Sequence, residues 1–161
     1  MAASKLILTA LRCFQLLCAA VVLGTSVSLH KFLPKYQDFC NSIEQDSLCD
    51  FKGLIPAVGF GICVGALGLL DAIVGLVATW MEVVPALIMA ALDGLAALVY
   101  LASGLATSII LSKSVFDQSS GSRFTECKAD AAFQIIGFLV TIVLIGFTFL
   151  WRRSGKMSSA V

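Results

Sequence analysis

Four long runs of apolar residues, at about 6–29, 54–79, 83–111 and 131–151, constrain this chain more than anything else in it. A helix that crosses the hydrocarbon core of a bilayer needs about 20 such residues, and each run is long enough. In lipid every backbone N–H and C=O must be satisfied internally, so only helices or a closed barrel can cross. The runs are continuous and lack the alternation of barrel strands. The pattern therefore predicts an all-α membrane protein, residues 1–161 forming one domain with four transmembrane helices in a bundle. Composition agrees. The chain is 59% hydrophobic and 13% charged, against about 45–50% and 25% in a soluble domain. The first run reads as a span and not as a cleaved signal peptide, whose apolar region covers about 7–15 residues. It is longer than that, and Arg12 interrupts it.

Four spans put both termini on one side of the membrane. The polar segments 30–52 and 112–128 then face the other side, while spans two and three are joined only by 80–82. Lysine and arginine counts do not assign the sides by themselves. Lys5, Arg152, Arg153 and Lys156 accompany the termini, whereas Lys31, Lys35, Lys52, Lys113, Arg123 and Lys128 lie in the loops. Cysteines favour loops facing an oxidising exterior or lumen, where Cys40 and Cys49 could close a short disulfide loop. Cys127 could then stay free or instead pair with either of them, and three unpaired thiols facing the cytosol remain the alternative. With the termini cytoplasmic, Trp80 and Trp151 fall at the inner interface as headgroup-level anchors. Arg152 and Arg153 then face anionic lipid, each contributing about 1 kcal/mol near the surface. Asn41 is the single asparagine and is not followed by a sequon, which excludes N-glycosylation. Cys13 and Cys18, near the terminal side of span one, could accept palmitate, although packing is the simpler role.

Three ionisable residues interrupt the apolar runs: Arg12, Asp71 and Asp93. Each costs about 2.5–3.5 kcal/mol at the bilayer centre on insertion scales, so each needs a partner. At helical rise they lie roughly 9, 14 and 15 Å below the terminal-side interface. Their depths are close enough for Arg12 to reach Asp93 or Asp71. One cation with two carboxyl groups leaves one acid over, to be held protonated or hydrogen-bonded by a neighbouring helix. A structural clasp fixing helix order is favoured over a proton or ion path, which needs more polar lining than these spans offer. A lone Arg12 snorkelling to the headgroups is the remaining possibility.

Span two carries a seam of small residues. Ala57, Gly61 and Gly65 recur every four residues, and Gly68 extends the glycine-rich stretch. A GxxxG pair lets another backbone approach closely, whether from the same bundle or from a second copy. No site chemistry accompanies these features. His30 stands alone at a membrane boundary, so no metal site is expected. No serine has a His/Asp arrangement, no phosphate-binding loop precedes a polar helix, and no cofactor is implied. The net charge of +1, with scattered basic residues, gives no sign of nucleic acid. An enzyme is therefore not expected.

Several short motifs carry a resemblance. Leu11–Arg12 in span one, Asp71 in span two, Glu82, Pro85 and Leu92–Asp93 around span three, and Cys127-Lys128-Ala129-Asp130-Ala131-Ala132-Phe133 leading into span four together resemble the MARVEL superfamily. The likeness is strongest to fungal non-classical export proteins and weaker to plant Casparian-strip-like proteins. It covers nearly the whole chain. It implies roles in membrane apposition, lateral domain organisation and vesicle traffic. In the fungal branch it implies a plasma-membrane organiser associated with eisosome furrows and responsive to sphingolipid. The expected partners are membrane lipids, sphingolipid or sterol among them, and a homo-oligomer or larger membrane complex. The expected location is the plasma membrane, with endomembranes or secretory vesicles as the alternative. Two other functions fit the same residues: an accessory subunit of a larger membrane protein, and a small transporter or channel using Arg12, Asp71 and Asp93.

Overall fold

The computed structural model describes residues 2–42, 53–81, 86–113 and 122–157. Each stretch contains one helix: α1 (Ala2–Ser42), α2 (Leu54–Met81), α3 (Ala86–Lys113) and α4 (Ser122–Met157). All four are long and apolar enough to cross a membrane. They run up and down in turn, with α1 beside α2 and α4, and α3 beside α4 and α2.

Two helices outrun their apolar cores. α1 continues past the first apolar run to Ser42, with Pro34 inside it. The extension holds because Leu29 and Leu33 stay on the buried face, packed against Leu54, Val58 and Cys127. Proline removes one backbone hydrogen bond, a cost of about 3 kcal/mol within a helix. Here the bond lost is to the carbonyl of His30, at the polar end of the helix. α4 likewise begins at Ser122, ahead of the fourth apolar run, so that Cys127 and Asp130 become helical residues with buried side chains.

Most buried positions follow one rule in every helix, with Cys18, Val64, Asp71, Ala97, Gly104 and Ala131 buried beside the stripe they form. The stripe runs through 8, 12, 15, 19, 22, 26, 29 and 33 in α1, and 54, 58, 61, 65, 68, 72 and 75 in α2. In α3 they are 89, 93, 96, 100, 103 and 107, and in α4 they are 127, 130, 134, 137, 141 and 144. Steps of four and three alternate throughout, an average of 3.5 residues, which is the repeat of a left-handed bundle seam. At mid-depth Val22, Val64 and Tyr100 form the apolar core with Val99, Phe133 and Phe138 against them. The opposite faces carry exposed Leu70, Val77, Leu95, Leu98, Leu139 and Val143. A soluble bundle would hide such residues; lipid accommodates them.

The α2 seam depends on missing side chains. A Cβ at Gly65 would lie 2.8 Å from the backbone nitrogen of Leu23, and one at Gly61 would lie 2.6 Å from the Ser26 hydroxyl. At these levels α1 rests directly on the α2 backbone. Ala57 is only half-buried, and Gly68 and Gly75 face inward instead. The seam thus turns with the seven-residue repeat and does not follow the four-residue spacing of Ala57, Gly61 and Gly65.

Candidate functional site

The terminal end of the bundle contains a polar cluster to which all four helices contribute. Arg12 of α1 is 3% exposed and Asp93 of α3 is 1% exposed. The guanidinium grips that carboxylate with both terminal nitrogens: Nη1 donates to Oδ1 at 2.5 Å and Nη2 to Oδ2 at 2.7 Å. The fork geometry matches a carboxylate bidentately, a match lysine cannot reproduce.

Asp71 of α2 meets the arginine less directly, its Oδ2 lying 3.8 Å from Nη1. Gln15, one turn along α1 from Arg12, bridges the gap. Its Oε1 accepts from Arg12 Nη1 at 2.9 Å, while its Nε2 donates to Asp71 Oδ2 at 2.8 Å and to Thr141 Oγ1 of α4 at 3.3 Å. Thr141 donates in turn to the carbonyl of Gly137 at 2.8 Å. The acid left over by charge counting is therefore held through an amide. Gly75 gives the guanidinium its space, since a Cβ there would lie 2.5 Å from Arg12 Cζ and Nε.

A second carboxylate cluster occupies the loop end. Asp130 of α4 is fully buried and is held by neutral donors. It accepts from Thr25 Oγ1 at 2.6 Å, from Ser26 Oγ at 3.1 Å and from Gln134 Nε2 at 2.9 Å. Along α1, Arg12 and Ser26 are roughly 21 Å apart at helical rise, so the two clusters lie toward opposite ends of the bundle.

Between them lies a file of polar atoms. Among the described residues, Asp71 Oδ1, Tyr100 Oη, Ser103 Oγ, Thr107 Oγ1 and Gln134 Oε1 are buried without a hydrogen-bond partner, as is Arg12 Nε. A buried polar group left in that state costs about 1–3 kcal/mol. Ser103 and Thr107 of α3 contrast with the threonines of the other helices. Thr9, Thr79, Thr141 and Thr148 all bond back to the carbonyl four residues earlier, the usual resort of a hydroxyl in an apolar helix.

Arg12, Asp71 and Asp93 are thus brought together, whereas Gln15, Thr141, Ser26, Asp130 and Gln134 carry hydrogen bonds that charge alone did not reveal. The polar lining is also richer than the apolar runs suggest. Trp80 is 74% exposed at the terminal end. Trp151, Arg152 and Arg153 lie in the last turns of α4, and their side chains fall outside the described residues. So does Cys49, and with it the proposed bridge to Cys40, a residue of α1. Cys127 is a free thiol buried among Leu29, Leu33, Leu54 and Val58, which corrects its pairing with either loop cysteine. Its place on the inward stripe of α4 turns it into the core.

Residues 5–150 match the family model described as MARVEL, membrane-associating domain. No curated protein and no solved structure matches the chain.

Proposed function

We propose, from the premise that this chain belongs to the MARVEL family of membrane-associating domains, that it is a non-enzymatic scaffold of lateral membrane domains. The reading places it in the plasma membrane, with both termini cytoplasmic and sphingolipid or sterol among its lipid contacts. One observation carries it. Arg12, Asp71, Asp93 and Asp130 are all buried within the bundle, while the outward faces are mostly apolar, with Phe14, Leu17, Leu70, Ile73, Leu92 and Leu95 exposed. A protein built this way meets its surroundings through apolar helix faces and lipid, and its internal charges hold the shape of those faces.

A groove of about 510 Å³ at the terminal end supports the lipid part of this reading. Lys5, Leu6, Thr9, Ala10, Thr79 and Trp80 line it. An acyl chain against the apolar wall and a headgroup beside indole and ammonium is the usual interfacial arrangement.

The test is imaging of the fluorescently tagged full chain in living cells, together with mass spectrometry of lipids and proteins retained in mild detergent. The scaffold reading expects patches that disperse when sphingolipid synthesis is blocked, and retained lipid without a fixed large partner. Uniform distribution, indifferent to the block, overturns it. Stoichiometric co-purification with one large membrane protein would instead make the chain an accessory subunit.

A further inference from the structure

We propose that the groove between α3 and α4 at the loop end of the bundle holds one phospholipid of the adjoining leaflet, with its phosphate on Lys128 and Ser108 and an acyl chain over Ala132 and Ile135. This site deepens the lipid part of the scaffold reading, on which it rests, by fixing a second place of contact and the headgroup chemistry it selects.

The antiparallel pairing of the two helices sets the levels. A Cβ at Gly104 of α3 would lie 3.2 Å from Ile135 Cγ1 of α4 and 3.4 Å from Gln134 Cβ, so these residues share one level. One turn toward the loops, Ser108 comes opposite Ala131. Two turns along, roughly 11 Å at helical pitch, Ser112 comes opposite Lys128. The third apolar span ends at Ser112, and the fourth begins at Thr125, one turn before Lys128. The polar residues of the groove therefore fall at headgroup level, and Ile135 lies below them at acyl depth.

The groove has a volume of about 470 Å³, within the range of about 300–1,000 Å³ usual for ligand sites. Ser108, Ser112 and Lys128 supply its polar atoms, and Leu111, Ala131, Ala132 and Ile135 its apolar wall. Lys128, Ala132 and Ile135 are exposed on the outward side of α4, so an occupant enters directly from the bilayer. An ammonium carries three N–H donors, enough to serve a phosphate together with a neighbour in its own chain, and it attracts phosphate as a point charge. The Ser108 hydroxyl adds a further donor. The Ser112 hydroxyl donates to the Ile109 carbonyl at 2.9 Å, so its oxygen serves as an acceptor for a headgroup hydroxyl.

Charge and shape together choose the occupant. A free anion would use Lys128 and leave the apolar wall bare. A diacylglycerol or a sterol would cover the wall and bring nothing for the ammonium to attract. A phosphodiester carried on acyl chains uses both, and the depth of the wall within the fourth span is where acyl chains lie.

The experiment uses the purified full chain in dodecyl maltoside micelles, which carry no phosphate. Dioleoylphosphatidylglycerol and dioleoylglycerol, identical in their chains, are titrated separately, and retained lipid is counted by native mass spectrometry. Wild type should retain the phosphate lipid severalfold more. Lys128→Gln should shift the bound phosphatidylglycerol count down by one, and Lys128→Arg should restore it. Lys31→Gln, the same charge change at an exposed position of α1 outside the groove, should leave the count unchanged. Equal retention of the two lipids by wild type overturns the proposal, as does an unchanged count in Lys128→Gln. Photolabelling of wild type needs no variant. A phosphatidylglycerol bearing a diazirine on its chain should attach chiefly within 108–112 and 128–135, and labels spread evenly over the exposed faces of α1 and α2 overturn the site. Both readouts are made in micelles, so the groove can fail while cellular patches persist, and the patches can fail while the groove still binds.

Discussion

Arg12→Met with Asp93→Leu, taken singly and together, tests the clasp most directly. Removing the arginine leaves Asp93 buried at 1% exposure without either of its two charged donors, and deprives Gln15 of one partner. Breaking a buried pair by deleting one member costs about 3–5 kcal/mol. A domain's whole stability is about 5–15 kcal/mol, so Arg12→Met should leave the chain marginal and retained early in the secretory route. Asp93→Leu should cost less, because Arg12 keeps Gln15 and can close the 3.8 Å gap to Asp71. The double variant should recover much of the loss, since exchanging both members for apolar groups of similar volume is often near neutral. Arg12→Lys should fall between, losing one of the two charged hydrogen bonds at about 1.5–3 kcal/mol. The assay is unfolding in mixed detergent micelles followed by far-ultraviolet circular dichroism, with cell-surface delivery read in parallel. A coupling between positions 12 and 93 below about 0.5 kcal/mol, the scatter expected of independent sites, refutes the clasp. So does normal surface delivery of Arg12→Met.

The glycines separate into two classes that the same assay should resolve. Gly75→Ala drives a methyl into the guanidinium and Gly68→Ala drives one into the Tyr100 phenol, so each should destabilise by about 1–3 kcal/mol. Gly24→Ala and Gly94→Ala meet nothing within 4 Å and should be neutral or gain up to about 1 kcal/mol from helix propensity. Asp130→Leu should destabilise by about 2 kcal/mol more than Asp130→Asn, because it strands Ser26 and Gln134, each worth about 1 kcal/mol, while Thr25 keeps the Val21 carbonyl 2.8 Å away; equal losses would mean the cluster is not held by those donors. Cys127 should react with maleimide only after denaturation, and Cys127→Ser should cost about 1–3 kcal/mol by placing a hydroxyl among Leu29, Leu33, Leu54 and Val58. Rapid labelling of the native protein at Cys127 would contradict its burial.

The spans were legible because hydropathy sums over many residues, and a few polar side chains cannot hide a run of about 20 apolar ones. The meeting of Arg12 with Asp93 was legible for a different reason. Each charge is costly in lipid, and the two fall at similar depth. Gln15, Gln134, Thr141 and Asp130 escaped both arguments. An amide or hydroxyl inside an apolar run barely lowers its hydropathy, and Asp130 sits just ahead of the fourth run, where an acid looks like loop. The signal that could have found them is the seven-residue repeat. Stepping four and three from Arg12 passes Gln15, Val22 and Ser26, and the same steps from Cys127 pass Asp130, Gln134 and Thr141. Residues on such a stripe face the seam whatever their polarity, because the repeat fixes direction and not chemistry. Four-residue spacing alone followed the α2 glycines only as far as Gly65, and then parted from the seam that turns through Gly68 to Gly75. In a membrane bundle the outward faces are necessarily apolar, so hydrophobicity does not distinguish inside from outside. The inward stripe is where small and polar residues collect, and there the exposed leucines and buried glutamines of this chain follow from one rule.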